Sequence, residues 1–92
     1  MELIIKLWGQ LRSVAEQESF TVHVSEAATL NHVLQKIANE ILVELAPLLL
    51  NEDGQCRQST LIFINDEQVY LNDERNLESG MTITLMSPIA GG

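Results

Sequence analysis

Apolar and polar residues alternate from Leu3 to Trp8, with Leu3, Ile5 and Leu7 on one face and Ile4, Lys6 and Trp8 on the other. A period of two marks a strand with one buried face, and a first strand is predicted here. After the polar stretch from Arg12 to Glu18, Phe20, Val22 and Val24 alternate with Thr21 and His23. This second run reads as a hairpin partner of the first, with the apolar set inward.

The period then changes. Leu30, Val33, Leu34, Ile37, Ala38, Ile41, Leu42 and Leu45 recur at helical spacing, which predicts an amphipathic helix over residues 30–45. Asn31, His32, Gln35, Lys36, Asn39, Glu40 and Glu44 take its solvent face. Thr29 is placed to cap the first turn through its hydroxyl, and Pro47 opposes continuation past the last. Leu48, Leu49 and Leu50 are too apolar for an ordinary loop, so they are predicted to form a short turn packed beneath the sheet, ahead of an Asn51-Glu52-Asp53-Gly54 turn. Leu61 to Ile64 form a third strand, Asn65-Asp66-Glu67 a turn, and Gln68 to Leu71 a short fourth strand. Gly80 breaks the chain before a last strand in which Met81, Ile83 and Leu85 alternate with Thr82, Thr84 and Met86. The order predicts an α+β fold, one helix across one face of a mixed sheet, with residues 1–86 as the domain and 87–92 as a tail. Trp8 and Met86 then fall on the uncovered face, where a large apolar side chain needs a reason.

Composition narrows the function more than the fold. The 92 residues, 46% hydrophobic and 20% charged, suit one core and exclude a wholly disordered chain. Five Lys and Arg against 13 Asp and Glu give a net charge of -8, which repels phosphate backbones and anionic lipid, so neither nucleic acid nor membrane is an expected partner. A single cysteine, Cys56, cannot form an intramolecular disulfide, which fits a reducing cytoplasm. The opening Met1-Glu2-Leu3-Ile4-Ile5-Lys6-Leu7-Trp8 carries neither the basic region nor the apolar run of a signal peptide.

The side chains offer little chemistry of their own. His23 and His32 lack Cys, Asp or Glu neighbours at metal-ligand spacing and read as solvated polar positions. Cys56 lies in a polar segment beside Arg57, which would lower a thiol pKa modestly, but no base is assignable to it. Asp66-Glu67 and Asp73-Glu74 fall in predicted turns where acids are normally just solvated. Phosphate-cradling glycine loops and a G-x-S-x-G elbow are missing from the sequence. An enzyme acting alone is therefore not expected.

What remains is Met86-Ser87-Pro88-Ile89-Ala90-Gly91-Gly92. With Gly at about 7% of residues, two terminal glycines arise by chance in about one chain in 200. Pro88 has no amide for sheet pairing and favours an extended Ser87, which predicts a stiff, directed tail. The residues beyond Met86 reach about 20 Å at roughly 3.3 Å each. The carboxylate of Gly92 is ionised and a poor electrophile at neutral pH, so a separate enzyme must activate it, for instance as an acyl-adenylate. Gly91 and Gly92 lack Cβ atoms and allow the close backbone approach that a narrow channel demands.

The order of elements, the phrase Ile62-Phe63-Ile64-Asn65-Asp66-Glu67-Gln68-Val69, the segment Leu77-Glu78-Ser79-Gly80-Met81-Thr82-Ile83 and the ending Pro88-Ile89-Ala90-Gly91-Gly92 together resemble the MoaD/ThiS family of ubiquitin-like sulfur carriers, and within it the molybdopterin synthase small subunits. The resemblance implies a β-grasp fold with the first and last strands parallel at the sheet centre. It implies an apolar docking patch of Trp8, Met86 and Phe63, and a partner-facing basic residue at Arg12 in Gln10-Leu11-Arg12. It also implies a carrier without catalytic residues or a bound cofactor of its own. Gly92 would be adenylated by an E1-like enzyme using ATP and converted to a thiocarboxylate by a persulfide sulfur donor. The sulfur would then be delivered within the synthase large subunit to build the dithiolene of the molybdenum cofactor. Thiamine-thiazole carriers and prokaryotic protein modifiers linked to lysines through their terminal glycine share the fold and the tail, so these alternatives stand beside it.

Overall fold

In the computed structural model, which describes residues 1–88, β1 (Glu2–Trp8) buries Leu3, Ile5 and Leu7 completely and exposes every residue between them. Its two neighbours differ in direction. β2 (Ser19–His23) runs antiparallel, with Leu3 opposite Val22 and Ile5 opposite Phe20. β5 (Thr82–Met86) runs parallel, with Ile5 beside Ile83 and Leu7 beside Leu85. β3 (Leu61–Ile64) is antiparallel to both β5 and β4 (Glu67–Val69), which completes the sheet order β2-β1-β5-β3-β4. A parallel pair needs a long crossover between its strands. Here the chain between β2 and β3 supplies most of it as a helical layer over one face, the mixed α+β arrangement expected of a β-grasp. Leu30, Val33, Leu34, Ile37 and Leu45 from that layer join Leu3, Ile5, Leu7, Ile62, Ile83 and Leu85 from the sheet in one buried core.

The helical layer departs from the sequence expectation in three places. Residues predicted as a polar connection hold a short helix, α1 (Gln10–Ala15), which buries only Leu11 and Ala15. The predicted 30–45 helix is interrupted: α2 (Leu30–Lys36) passes into a π-helical turn, Ile37–Ile41, in which the Leu42 amide reaches back five residues to the Ile37 carbonyl at 2.8 Å. Leu42 then leaves helical geometry, with φ −123° and ψ 73°, and a 3₁₀ turn, Val43–Leu45, follows. The wider turn shifts the apolar stripe, so Leu42 and Leu45 stay buried while Ile41 is 38% exposed. Pro47, expected to oppose continuation of the helix, instead sits in the first turn of α3 (Ala46–Leu49), where its missing amide hydrogen costs nothing. Residues 48–50, expected as a turn, are thus the end of a helix and its exit, though Leu49 and Leu50 are buried as anticipated. The fourth strand is shorter than expected and ends at Val69.

Cys56 is corrected as well. It is buried, forms an isolated bridge with Leu50, and has its thiol pKa pushed up chiefly by desolvation, whereas a polar loop with a pKa lowered by Arg57 was expected. Arg57 is engaged elsewhere: it donates from Nε to the Leu50 carbonyl at 3.0 Å and from Nη2 to the Pro47 carbonyl at 3.1 Å. No helix among the described residues is long and apolar enough to cross a membrane.

Candidate functional site

Strand residues alternate between faces, so the side of the sheet away from the helices is assembled from Ile4, Lys6 and Trp8 of β1, Thr82, Thr84 and Met86 of β5, and Leu61 and Phe63 of β3. Register arranges them in rows. Lys6, Thr84 and Phe63 form one, and Trp8, Met86 and Leu61 the next. Trp8 is 51% exposed, Phe63 and Met86 are half-buried, and Thr84 lies buried between larger neighbours. The small Thr84 side chain leaves a hollow of about 250 Å³, lined by Trp8, Phe63, Thr84, Met86, Asn65 and Asp66.

The rim of this hollow is fixed by the β3–β4 turn. Asn65 has φ +55°, a left-handed conformation that Asn tolerates better than most residues. Its amide donates to the Thr82 carbonyl at 2.7 Å and its Oδ1 accepts from the Thr82 amide at 3.2 Å. The turn that carries Asp66 is therefore tied to the start of β5. Asp66 is exposed and, among the described residues, has no ion-pair partner.

Of the four residues expected to face partners, Trp8, Phe63 and Met86 are brought together. Arg12 is not. It lies on α1, its exposed guanidinium is 4.0 Å from Glu18 Oε1, and it does not line the hollow. Met86 ends β5 beside Trp8, so the chain leaves the sheet at the edge of the aromatic patch. Ser87 follows with its hydroxyl oxygen buried and unpartnered among the described residues, and Pro88 is exposed. Ile89, Ala90, Gly91 and Gly92, the expected reactive tail, lie outside the described residues. Sequence reasoning missed Thr84, Asn65 and Asp66 as parts of one site. The signal that unites them is the β3–β5 register, which a single sequence does not carry.

Other candidates resolve into structure. His32 Nδ1 accepts from the Thr29 amide while Thr29 Oγ1 accepts from the His32 amide, both at 3.2 Å, a capping box at the start of α2. His23 Nε2 lies 3.6 Å from Glu2 Oε2 on an exposed surface. A larger hollow of about 370 Å³, lined among others by Glu26, Thr29, Asn31 and Asp73, has Arg75 as its one cation. That guanidinium is already engaged by Glu67 and Asp73. The hollow on the open face is smaller, yet it joins exposed aromatic surface to an unpaired charge beside the departing tail.

A family model described as Urm1 (ubiquitin related modifier) matches residues 2–92. No curated protein matches the sequence. Among solved structures, the crystal structure of SAMP1 from Haloferax volcanii is similar with a TM-score of 0.86 at 23% identity, over 100% of both chains. A putative molybdopterin converting factor subunit 1 from Pyrococcus furiosus has a TM-score of 0.74 at 14% identity, over 97% of this chain and 99% of that one. A protein-protein complex of subunits 1 and 2 of the molybdopterin-converting factor from Helicobacter pylori contributes a chain with a TM-score of 0.59 at 24% identity, over 100% of both. At these identities the likeness to the solved structures is one of fold.

Proposed function

We propose, for a chain that belongs to the Urm1 (ubiquitin related modifier) family, that it is a sulfur carrier working through Gly92. The observation that supports this most directly is the parallel β1–β5 pair, which sets Trp8 beside Met86 at the point where the chain leaves the sheet. A partner seated on that aromatic patch is positioned to receive the segment that follows. The carboxylate of Gly92 attacks the α-phosphorus of ATP held by an E1-like enzyme, releasing pyrophosphate. The outer sulfur of a persulfide donor then displaces AMP to form an acyl disulfide, and a second cysteine thiol of the donor system cleaves its S–S bond, becoming a disulfide with the donor and leaving a thiocarboxylate. The protein itself binds no cofactor and contributes no general acid or base; its part is the docking face and the tail.

The destination proposed for the sulfur is the molybdenum cofactor, with this chain as the small subunit of molybdopterin synthase. The fold likeness to molybdopterin converting factor subunits from two organisms supports that destination. A second reading, conjugation of Gly92 to lysines of other proteins, is favoured by membership of a family of ubiquitin related modifiers. Intact mass of the protein purified from its own host tests the shared chemistry: one sulfur replacing one oxygen at Gly92 is expected, and an unmodified terminus under sulfur-replete growth overturns it. Denaturing gels then separate the readings. Slower-migrating adducts that vanish on deletion of Gly92 favour the modifier, and their absence alongside a thiocarboxylate favours the carrier.

A further inference from the structure

We propose that the hollow between Trp8 and Phe63 is a receptor for a single arginine side chain presented by the protein that docks on the open sheet face, an inference that rests on the docking reading above. Two aromatic side chains, one of them an exposed tryptophan, line a recess of about 250 Å³ above the small side chain of Thr84. Tryptophan offers the strongest cation–π surface of the aromatic residues. A recess of that kind takes an apolar side chain or a flat cation equally well, and Asp66 decides between them. Asp66 lines the same hollow, and its carboxylate lacks an ion-pair partner among the described residues. A hydrophobic knob would leave that charge unanswered at a closing interface. A guanidinium answers it with a fork of N–H donors while its plane stacks on the rings.

The placement is prepared before any partner arrives. Asn65 ties the turn to Thr82 by two hydrogen bonds, so Asp66 is presented from an anchored turn. Lys6, the cation of the Lys6–Thr84–Phe63 row, does not line the hollow. The net charge of -8 draws a basic partner toward the whole surface, and the recess gives one of its arginines a defined seat. An ammonium would meet the charge but not the stacking geometry.

Trp8 is the sole tryptophan of the chain, so its fluorescence reports on the recess. The full chain is titrated with N-acetyl-arginine amide, with the neutral isostere N-acetyl-citrulline amide, and with N-acetyl-lysine amide, at constant ionic strength. A saturable change is expected for arginine, with affinity roughly fivefold weaker for citrulline and for lysine and roughly fivefold weaker for arginine with Asp66→Asn. Equal responses to all three, a response that does not saturate, or one unchanged by Asp66→Asn overturns the receptor. Lysine binding as tightly as arginine overturns the guanidinium assignment. Intact mass of the unaltered chain is read in parallel. Sulfur on Gly92 without an arginine response sinks the receptor alone, and an arginine response without sulfur sinks the carrier reading alone.

Discussion

Arg75 donates from Nη1 and Nη2 to the two carboxylate oxygens of Glu67 at 3.2 and 3.1 Å, and from Nε and Nη2 to those of Asp73 at 3.0 and 3.1 Å. These charge-assisted hydrogen bonds hold both carboxyls below the usual carboxylate range; a backbone hydrogen bond from Arg75 also lowers Asp73, and attraction to the nearby cation also lowers Glu67. A depressed folded pKa stabilises the native state above the unfolded value and loses that contribution as pH falls through the folded one. The clamp is therefore fully present above about pH 4.3 and is lost progressively below it. In Arg75→Met the urea midpoint is expected to fall at pH 7 and to converge on that of the unaltered protein as the pH is lowered. A constant difference across the acid limb would show that the clamp does not act through these two carboxylates. Cys56 gives a second prediction at this scale. Burial and a raised pKa keep it a thiol at neutral pH, so alkylation by iodoacetamide is expected to be much slower in the folded protein than in urea. Fast native labelling would contradict its placement.

The longer strands were legible because each carries its own period, whereas β4, three residues long, carries none and was displaced from its expected place. Leu3, Ile5 and Leu7 are buried as their alternation demands, and the same holds for Ile83 and Leu85. The helical layer was less legible, for reasons local to particular residues. In α1 only Leu11 and Ala15 face inward, and two apolar positions amid Arg12, Ser13 and Glu16 are too few to establish a period. In the interrupted helix the apolar spacing continues smoothly through Ile41 and Leu42, yet the backbone widens into a π turn, a choice made by packing that periodicity cannot register. Pro47 was ambiguous for a physical reason, since a residue without an amide hydrogen suits both the end of one helix and the start of another. The structure places it in the first turn of α3, and this separates two outcomes for Pro47→Ala. A proline that blocks a longer helix would, when replaced, release added helicity. A proline already accommodated at a helix start lends stability only by restricting the unfolded chain, so its replacement is expected to cost about 0.4–1 kcal/mol with unchanged far-ultraviolet circular dichroism. A gain of helical signal would overturn the second account. The open face was half legible: alternation assigned Trp8 and Met86 to it, but their meeting with Phe63 over Thr84 depended on strand order.

At the scale of the whole molecule, the face proposed to dock and the core that holds the fold are separate sets of residues, and charge and apolar contact act on different steps of the proposed association. The five cations are not equally free: Arg57 and Arg75 are committed to neighbouring carbonyls and carboxylates. Their charges still count in the balance, and five cations against 13 acids leave the net charge of -8 that a distant partner meets. Long-range attraction of a basic partner speeds encounter and is screened over about 10 Å at 0.1 M salt. Short-range packing on Trp8 would hold the proposed complex once formed and is not screened in this way. Stopped-flow association with the E1-like enzyme proposed above, followed between about 0.05 and 0.5 M salt, is expected to show an on-rate that falls steeply and an off-rate that barely moves. Trp8→Ala is expected to do the reverse, raising the off-rate at every salt concentration while leaving the salt slope of the on-rate intact. Because Trp8 is half exposed and outside the buried core, its replacement should shift folding stability by no more than about 0.5 kcal/mol. A loss of binding accompanied by a lowered melting temperature would instead mean that Trp8 supports the sheet, and an on-rate indifferent to salt would remove the basic partner from the argument.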